Sequence, residues 1–268
     1  MLLTGGEGAV RRSTTRGTVS TSRLSVQLYT VRELVAEDLL GTLGRLADLG
    51  LTQVEPYGVV DTAEELGRAL EATGLSAPTA HQRYLDRSPE ELDAVFAAAA
   101  GLGIATLIDP HVERPHWQRR EDVEATAARL NAAAGIAARH GVRVGYHNHA
   151  HELESLFEGT TALEVFAAAL DDGVALEVDT YWAAVGGQDP VALLGRLGAR
   201  VEALHVKDGP VSTDNRDQVA VGSGTLPIRA IVEAAPDALR VIELDDSRED
   251  RMTAVADSVA WMSAQGLA

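Results

Sequence analysis

Apolar residues fall along this chain in two alternating patterns. Short runs that are almost wholly apolar, such as IATLID at 104–109 and VALEVD at 174–179, suit strands buried on both faces. Between them lie longer stretches with apolar residues at helical spacing, as in Leu39, Leu40, Leu43 and Leu46. Eight apolar runs begin near residues 25, 52, 76, 104, 142, 174, 201 and 239. Gly50, Gly74, Gly101 and Gly141 close helical stretches, and Asp189-Pro190 opens one. Capping boxes at Thr62–Glu65 and Ser88–Glu91 predict two more helix starts. Further helices are predicted over 123–140, 161–170, 227–235 and 251–264. Pro56 stops the second apolar run and Pro78 interrupts the third.

Strict alternation with helical crossovers implies parallel strands. Eight such units predict an α/β fold closed into a (β/α)8 barrel, a single domain over 23–268; such barrels commonly run to about 250 residues. The rival is an open doubly wound sheet. No G-x-G-x-x-G follows the first run, which weakens a dinucleotide-binding version of it.

Composition narrows the partners. Of 268 residues 46% are apolar, enough for a real core. The net charge of −17 opposes binding to a nucleic-acid backbone, which needs a basic footprint. There is no cysteine, so a metal would have to use His, Asp and Glu. No apolar run is long enough to span a membrane, and residues 1–22 lack the apolar middle of a secretory signal. Those residues, rich in Gly, Thr, Ser and Arg, are expected to form a disordered tail. A cytoplasmic location is expected, and association into a homo-oligomer is left open.

In a barrel of this kind the active site lies at the C-terminal ends of the strands. Here those ends carry Glu55, His81, His147, His149 with Glu152 just beyond, Glu177, Asp179, His205, Lys207, Glu243 and Asp245. Buried charges are costly unless paired or bound to metal, so this many on one rim predict a functional site. Imidazoles and carboxylates at neighbouring strand ends are what a divalent cation requires. Competing structural roles are a core histidine for His205, a turn cap for Asp179, a surface charge run for Glu243, and an ion pair of Glu55 with Arg32 or Lys207. His151 is expected to face solvent. Trp182 is expected to wall the pocket. Gly222-Ser-Gly224 is expected to be a loop, with phosphate contact as the lesser reading.

The segments QLYTVRE, VEPYG, YHNHAHE, LEVDTYWAAVGGQDP and LHVKDGP stand in an order that resembles the xylose isomerase-like TIM-barrel superfamily of sugar phosphate isomerases/epimerases, from Leu24 to the C-terminus. The resemblance implies a divalent metal, manganese, zinc or magnesium, and a small carbohydrate substrate. It implies metal ligands at Asp179, His205 and Glu243. The fifth run supplies either Glu152, which is favoured, or His147. Glu152, Glu243, Lys207 and His147 become catalytic candidates; Glu55, His81, His149 and Trp182 become substrate-binding candidates. The expected chemistry is isomerisation or epimerisation through an enediolate, with a carboxylate as base. A lyase acting on a keto-sugar or 3-keto-glycoside through the same enolate is the alternative. Trp182 stands where the sugar epimerase branch carries a His, which counts against 3-epimerase chemistry. A metal endonuclease is disfavoured by the net charge. A barrel that binds a sugar without turning it over is the reading from another class.

Overall fold

The computed structural model describes residues 22–268, so the expected tail at 1–22 lies outside them except for Ser22. Seven parallel strands form one curled sheet: β1 (Leu24–Val26), β2 (Thr79–His81), β3 (Thr106–Asp109), β4 (Arg143–His147), β7 (Ala175–Asp179), β8 (Val201–Val206) and β9 (Leu239–Ile242). A small antiparallel pair, β5 (Leu156–Phe157) and β6 (Thr160–Thr161), lies in a loop. The order in the large sheet is β1-β9-β8-β7-β4-β3-β2.

Residues 52–57 join its two edges. Glu55 N–H donates to Val26 O at 2.8 Å, and Leu28 N–H donates to Glu55 O at 2.8 Å. On the other side Val54 N–H donates to Ser76 O, and His81 N–H donates to Pro56 O. The second apolar run thus fills the eighth place, but through single bridges at Gln53, Glu55 and Tyr57 instead of a regular ladder. Pro56 has no N–H to continue one. Pro78 acts in the same way on the third run, where the regular strand begins only at Thr79.

The longer helices lie where the periodicity predicts, with starts displaced by a few residues at Val59 and Arg120, and two short helices, His151–Glu154 and Thr180–Val185, form where none is expected. The capping box at Ser88–Glu91 is formed, and Asp189 accepts from the N–H groups of Val191 and Ala192. The expected box at Thr62–Glu65 is absent. That helix begins at Val59 behind Gly58, whose φ of 60° turns the chain immediately after the extended segment and buries Val59. Across the barrel floor Thr106 Oγ1 donates to Glu202 Oε1 at 2.7 Å, and Arg143 pairs with the same carboxylate. No described helix is long and apolar enough to cross a membrane.

Candidate metal centre

Alternation along a strand sends Glu177 and Asp179 to one face of β7, and Ala203, His205 and Lys207 to one face of β8. Register decides which of them meet. Leu176 pairs with Val201, yet Glu177 pairs with Ala203, so β8 gains a residue at a bulge between Leu176 and Glu177. The slip brings His205 level with Asp179; without it Leu204 would stand there. Asp179 ends its strand and caps the helix Thr180–Val185, Oδ1 accepting from Trp182 N–H at 2.8 Å. Its backbone is clamped by Asn148, which accepts from Asp179 N–H and donates to its carbonyl. Asp179 therefore fills both roles open to it: one oxygen caps the turn, and the other faces the barrel axis.

One donor atom each from His147, Asp179, His205 and Glu243 lies within 4.8 Å of the others, and all four residues are buried. His205 Nδ1 is 2.5 Å from Glu243 Oε2, and His147 Nε2 is 3.8 Å from Asp179 Oδ2. Asp179 Oδ2 and His147 Nδ1 are buried and face charge: the Lys207 ammonium lies 2.9 Å from the first and the Glu177 carboxylate 3.1 Å from the second. Two imidazoles and two carboxylates form a donor set that suits a divalent cation, and the two anionic charges balance it. The residues present fit the group.

Electrostatics support the same reading. Burial and the neighbouring His205 push the His147 pKa down to about 3, which keeps the ring neutral and its lone pair available. Burial also opposes charge on His205, but the carboxylates of Glu177 and Glu243 outweigh it and hold its pKa well above the usual value. Glu243 is likewise opposed by burial and held well below the carboxylate range by His205 and Lys207. Burial lifts Asp179 to about 6 in spite of Lys207. Lys207 is fully buried, with Nζ at 2.9 Å from Asp179 Oδ2, 2.7 Å from Glu243 Oε2 and 2.8 Å from Asp245 Oδ1.

Above this group opens a cavity of about 680 Å³, with His81, His147 and Glu243 toward its floor and Tyr29, Tyr57, His111, His149 and Trp182 among its walls. Trp182 Nε1–H donates to Asp245 Oδ2 at 3.0 Å, which fixes the indole as a wall. Tyr29 and Tyr57 meet edge to face, with the Arg32 guanidinium over Tyr29. Arg83, on the rim, is paired with Glu113 at 2.6 Å.

Four expectations change. Glu152 is outside the converging donors: Tyr146 Oη–H donates to its Oε1 and His149 N–H to its Oε2, beneath the loop, and it does not line the cavity. The chain turns after β4 into the short helix His151–Glu154, which carries Glu152 back toward Tyr146, so β4 contributes His147 to the group instead. Glu55 does not line the cavity either; it lies fully buried and bonded to Gln27, Thr79 and His205, not to Arg32 or Lys207. Lys207 is enclosed by carboxylates and presents no face to the cavity. His151 is buried, its Nε2–H donating to Val112 O. The amides of Gly222 and Gly224 both donate to Asp208, which removes them as a phosphate cradle.

The sequence reading assigned no role to Glu177, Gln27, Thr79 and Asn148. Parity already put Glu177 beside Asp179; nothing in the sequence marked the other three.

Comparison with known proteins follows from this geometry. The family model described as xylose isomerase-like TIM barrel matches residues 43–265. Inosose dehydratase of Geobacillus kaustophilus is 31% identical over 153 residues, 48% of this chain and 49% of that protein, so the match spans about half the length of this curated relative. Among solved structures, a sugar phosphate isomerase/epimerase from Parabacteroides distasonis superposes with a TM-score of 0.77 at 24% identity, covering 96% of this chain and 99% of its own. The IOLI protein, solved with a binding zinc atom, gives 0.70 at 14% identity over 91% and 97%. These structural likenesses establish the fold. The family match over most of its length shows that the chain belongs to the xylose isomerase-like TIM-barrel family.

Proposed function

We propose that this protein is a divalent-metal-dependent isomerase or epimerase of a sugar or keto-sugar, working by proton transfer at a carbon beside a carbonyl. The observation that carries the reading is the convergence of His147, Asp179, His205 and Glu243 beneath a cavity with aromatic walls. Those four side chains would hold the ion, which when bound supplies Lewis-acid polarisation of a carbonyl oxygen. Two nitrogen donors favour zinc or manganese over magnesium, which prefers oxygen.

The chain's own groups divide the remaining work. Glu243 reaches the cavity and is ionised, so its carboxylate is the group placed to take the carbon-bound proton, although His205 and Lys207 lower its basicity. His149 also lines the cavity; burial keeps it neutral, so it orients a substrate hydroxyl by hydrogen bonding while the proton taken by Glu243 is the one returned to carbon. Trp182 offers its face to the C–H surface of the sugar ring. Asp245 and Asp246 line the same cavity and accept hydrogen bonds from hydroxyl groups. Lys207 acts from behind by keeping Asp179, Glu243 and Asp245 together.

A dehydratase is the second reading, favoured by the inosose dehydratase relative and by Trp182 at the position where a histidine is expected for 3-epimerase chemistry. The first proton transfer is the same; loss of a β-hydroxyl as water then replaces reprotonation. Incubating manganese-loaded protein with ketoses and inososes in D2O separates the two. Carbon-bound deuterium in an isomer supports the isomerase, and an unsaturated ketone supports the dehydratase. Tight metal and polyol binding with neither outcome across the panel would leave a sugar-binding barrel.

A further inference from the structure

We propose that Glu55 is a positioning residue for His205, and that Glu55, Glu177 and His81 form a fixed plate beneath the metal position. This rests on reading His147, Asp179, His205 and Glu243 as the cation's ligands.

Glu55 sits in the irregular segment 52–57, and its side chain is fully buried. A buried carboxylate is tolerated when every lone pair is engaged. Here Oε1 accepts from Gln27 Nε2–H at 2.8 Å and from His205 Nε2–H at 2.8 Å, while Oε2 accepts from Thr79 Oγ1–H. The amide of Gln27 is itself oriented, because its Oε1 accepts from Tyr29 N–H at 3.1 Å. Three segments of the barrel wall thus hold one carboxylate under one imidazole.

The plate closes on itself. Glu177 Oε2 lies 3.1 Å from His205 Nε2 and 2.5 Å from His81 Nε2, and His81 Nε2 returns to Glu55 Oε1 at 3.3 Å. Carboxylates and imidazoles alternate around a square, with the rings of His81 and His205 stacked 5.1 Å apart at 12°. An imidazole has two nitrogens. If Nε2 carries its hydrogen toward Glu55, Nδ1 is the atom presented to Glu243 and Asp179, and it is the one that faces Glu243. Fixing one nitrogen therefore fixes the tautomer and plane of the other, and a carboxylate behind a metal-binding imidazole strengthens it as a ligand.

The test is manganese binding to the full chain, stripped with chelator and titrated by competition calorimetry. Glu55→Leu removes the acceptor and is expected to weaken binding about 10- to 100-fold. Glu55→Gln keeps an acceptor and is expected to recover most of that loss. Nitrogen-15 spectra of the protein loaded with diamagnetic zinc, where the ion takes the place of hydrogen on Nδ1, are expected to report the Nε2–H form of His205 in the wild type and in Glu55→Gln, and a mixture of forms in Glu55→Leu. Gln27→Leu, which loosens Glu55 without touching His205, is expected to weaken binding in the same direction and serves if Glu55→Leu does not fold. Wild-type affinity and tautomer in Glu55→Leu, or in Gln27→Leu in its place, would overturn the proposal. Asp179→Asn separates the two levels: if it binds manganese as the wild type does, the ligand assignment itself is wrong, whereas loss of binding there with none at Glu55 removes only the positioning role.

Discussion

The ammonium of Lys207 lies 2.9 Å from Oδ2 of Asp179 and 2.7 Å from Glu243 Oε2. Those carboxylates belong to the group that converges on the candidate ion, so lysine and metal share them. Breaking a buried charge cluster by removing one partner costs about 3–5 kcal/mol. Lys207→Met is expected to lose stability of that order at pH 7 in the presence of chelator. Manganese should restore more stability to the variant than it adds to the wild type, because no ammonium competes for the same oxygens. Urea unfolding with and without manganese checks this; equal gains in both proteins would refute the competition.

Glu152 gives a pH dependence of known sign. Burial lifts its carboxyl from 4.5 to about 7, against the hydrogen bonds from Tyr146 and His149. Its folded value exceeds its unfolded one, so the native state binds the extra proton between those values. The resulting stability is fully present below pH 4.5 and is lost as pH rises through about 7. Its ceiling is about 3 kcal/mol. Glu152→Gln cannot titrate, so its stability relative to the wild type should improve between pH 5 and pH 8.5 by up to that amount. A difference that stays constant across this range, measured by urea midpoints, would show that Glu152 titrates normally.

Gly186 makes close contact with the loop that follows β4. A Cβ on it would lie 2.8 Å from Ala150 O and 2.9 Å from Leu153 Cβ. Its φ of −72° is ordinary, so any cost comes from packing and not from the backbone. Gly186→Ala is expected to destabilise by about 1–3 kcal/mol, as overpacking does. It should also push the His149-bearing loop away from the helix that carries Trp182. A higher KM at little-changed kcat is the expected kinetic signature, and an unchanged melting temperature would contradict the contact.

How much of this was legible in the sequence depended on what a single strand can report. Parallel strands buried on both faces read as apolar runs, so the eightfold alternation was visible, and parity then turned His147, Asp179, His205 and Glu243 inward together. Parity gives a direction but not a depth. Glu55 points inward as expected yet ends below the cavity, because depth is set by register against neighbouring strands; Lys207 is level with Glu243 but is shut off by the carboxylates of Asp179, Glu243 and Asp245 around it. The bulge that brings His205 level with Asp179 has no local signature. Glu152 lies away from the expected place for a related reason: five residues along the chain from His147 fixes a distance, not the turn after β4 that sends it to Tyr146.

The two overlapping donor groups differ in a way that predicts one ion per chain. His81, His147, Glu177 and His205 also bring donor atoms within 4.8 Å of one another. In that group, however, one carboxylate oxygen already sits among the nitrogens: Glu177 Oε2 lies 2.5 Å from His81 Nε2 and 3.1 Å from both His147 Nδ1 and His205 Nε2. Those are contacts of an anion gathering N–H groups. A cation there would need the same nitrogens stripped of hydrogen, and His205 would have to ligate through both nitrogens at once. The group of His147, Asp179, His205 and Glu243 instead brings two separate carboxylates together, enough negative charge to balance a divalent ion. Calorimetric titration of chelator-stripped protein should therefore saturate at one manganese or zinc ion per chain. Removing the shared carboxylate hub by Glu177→Gln should weaken that single event and add no second one. Two tight equivalents in the wild type would mean that the lower group is a cation site after all.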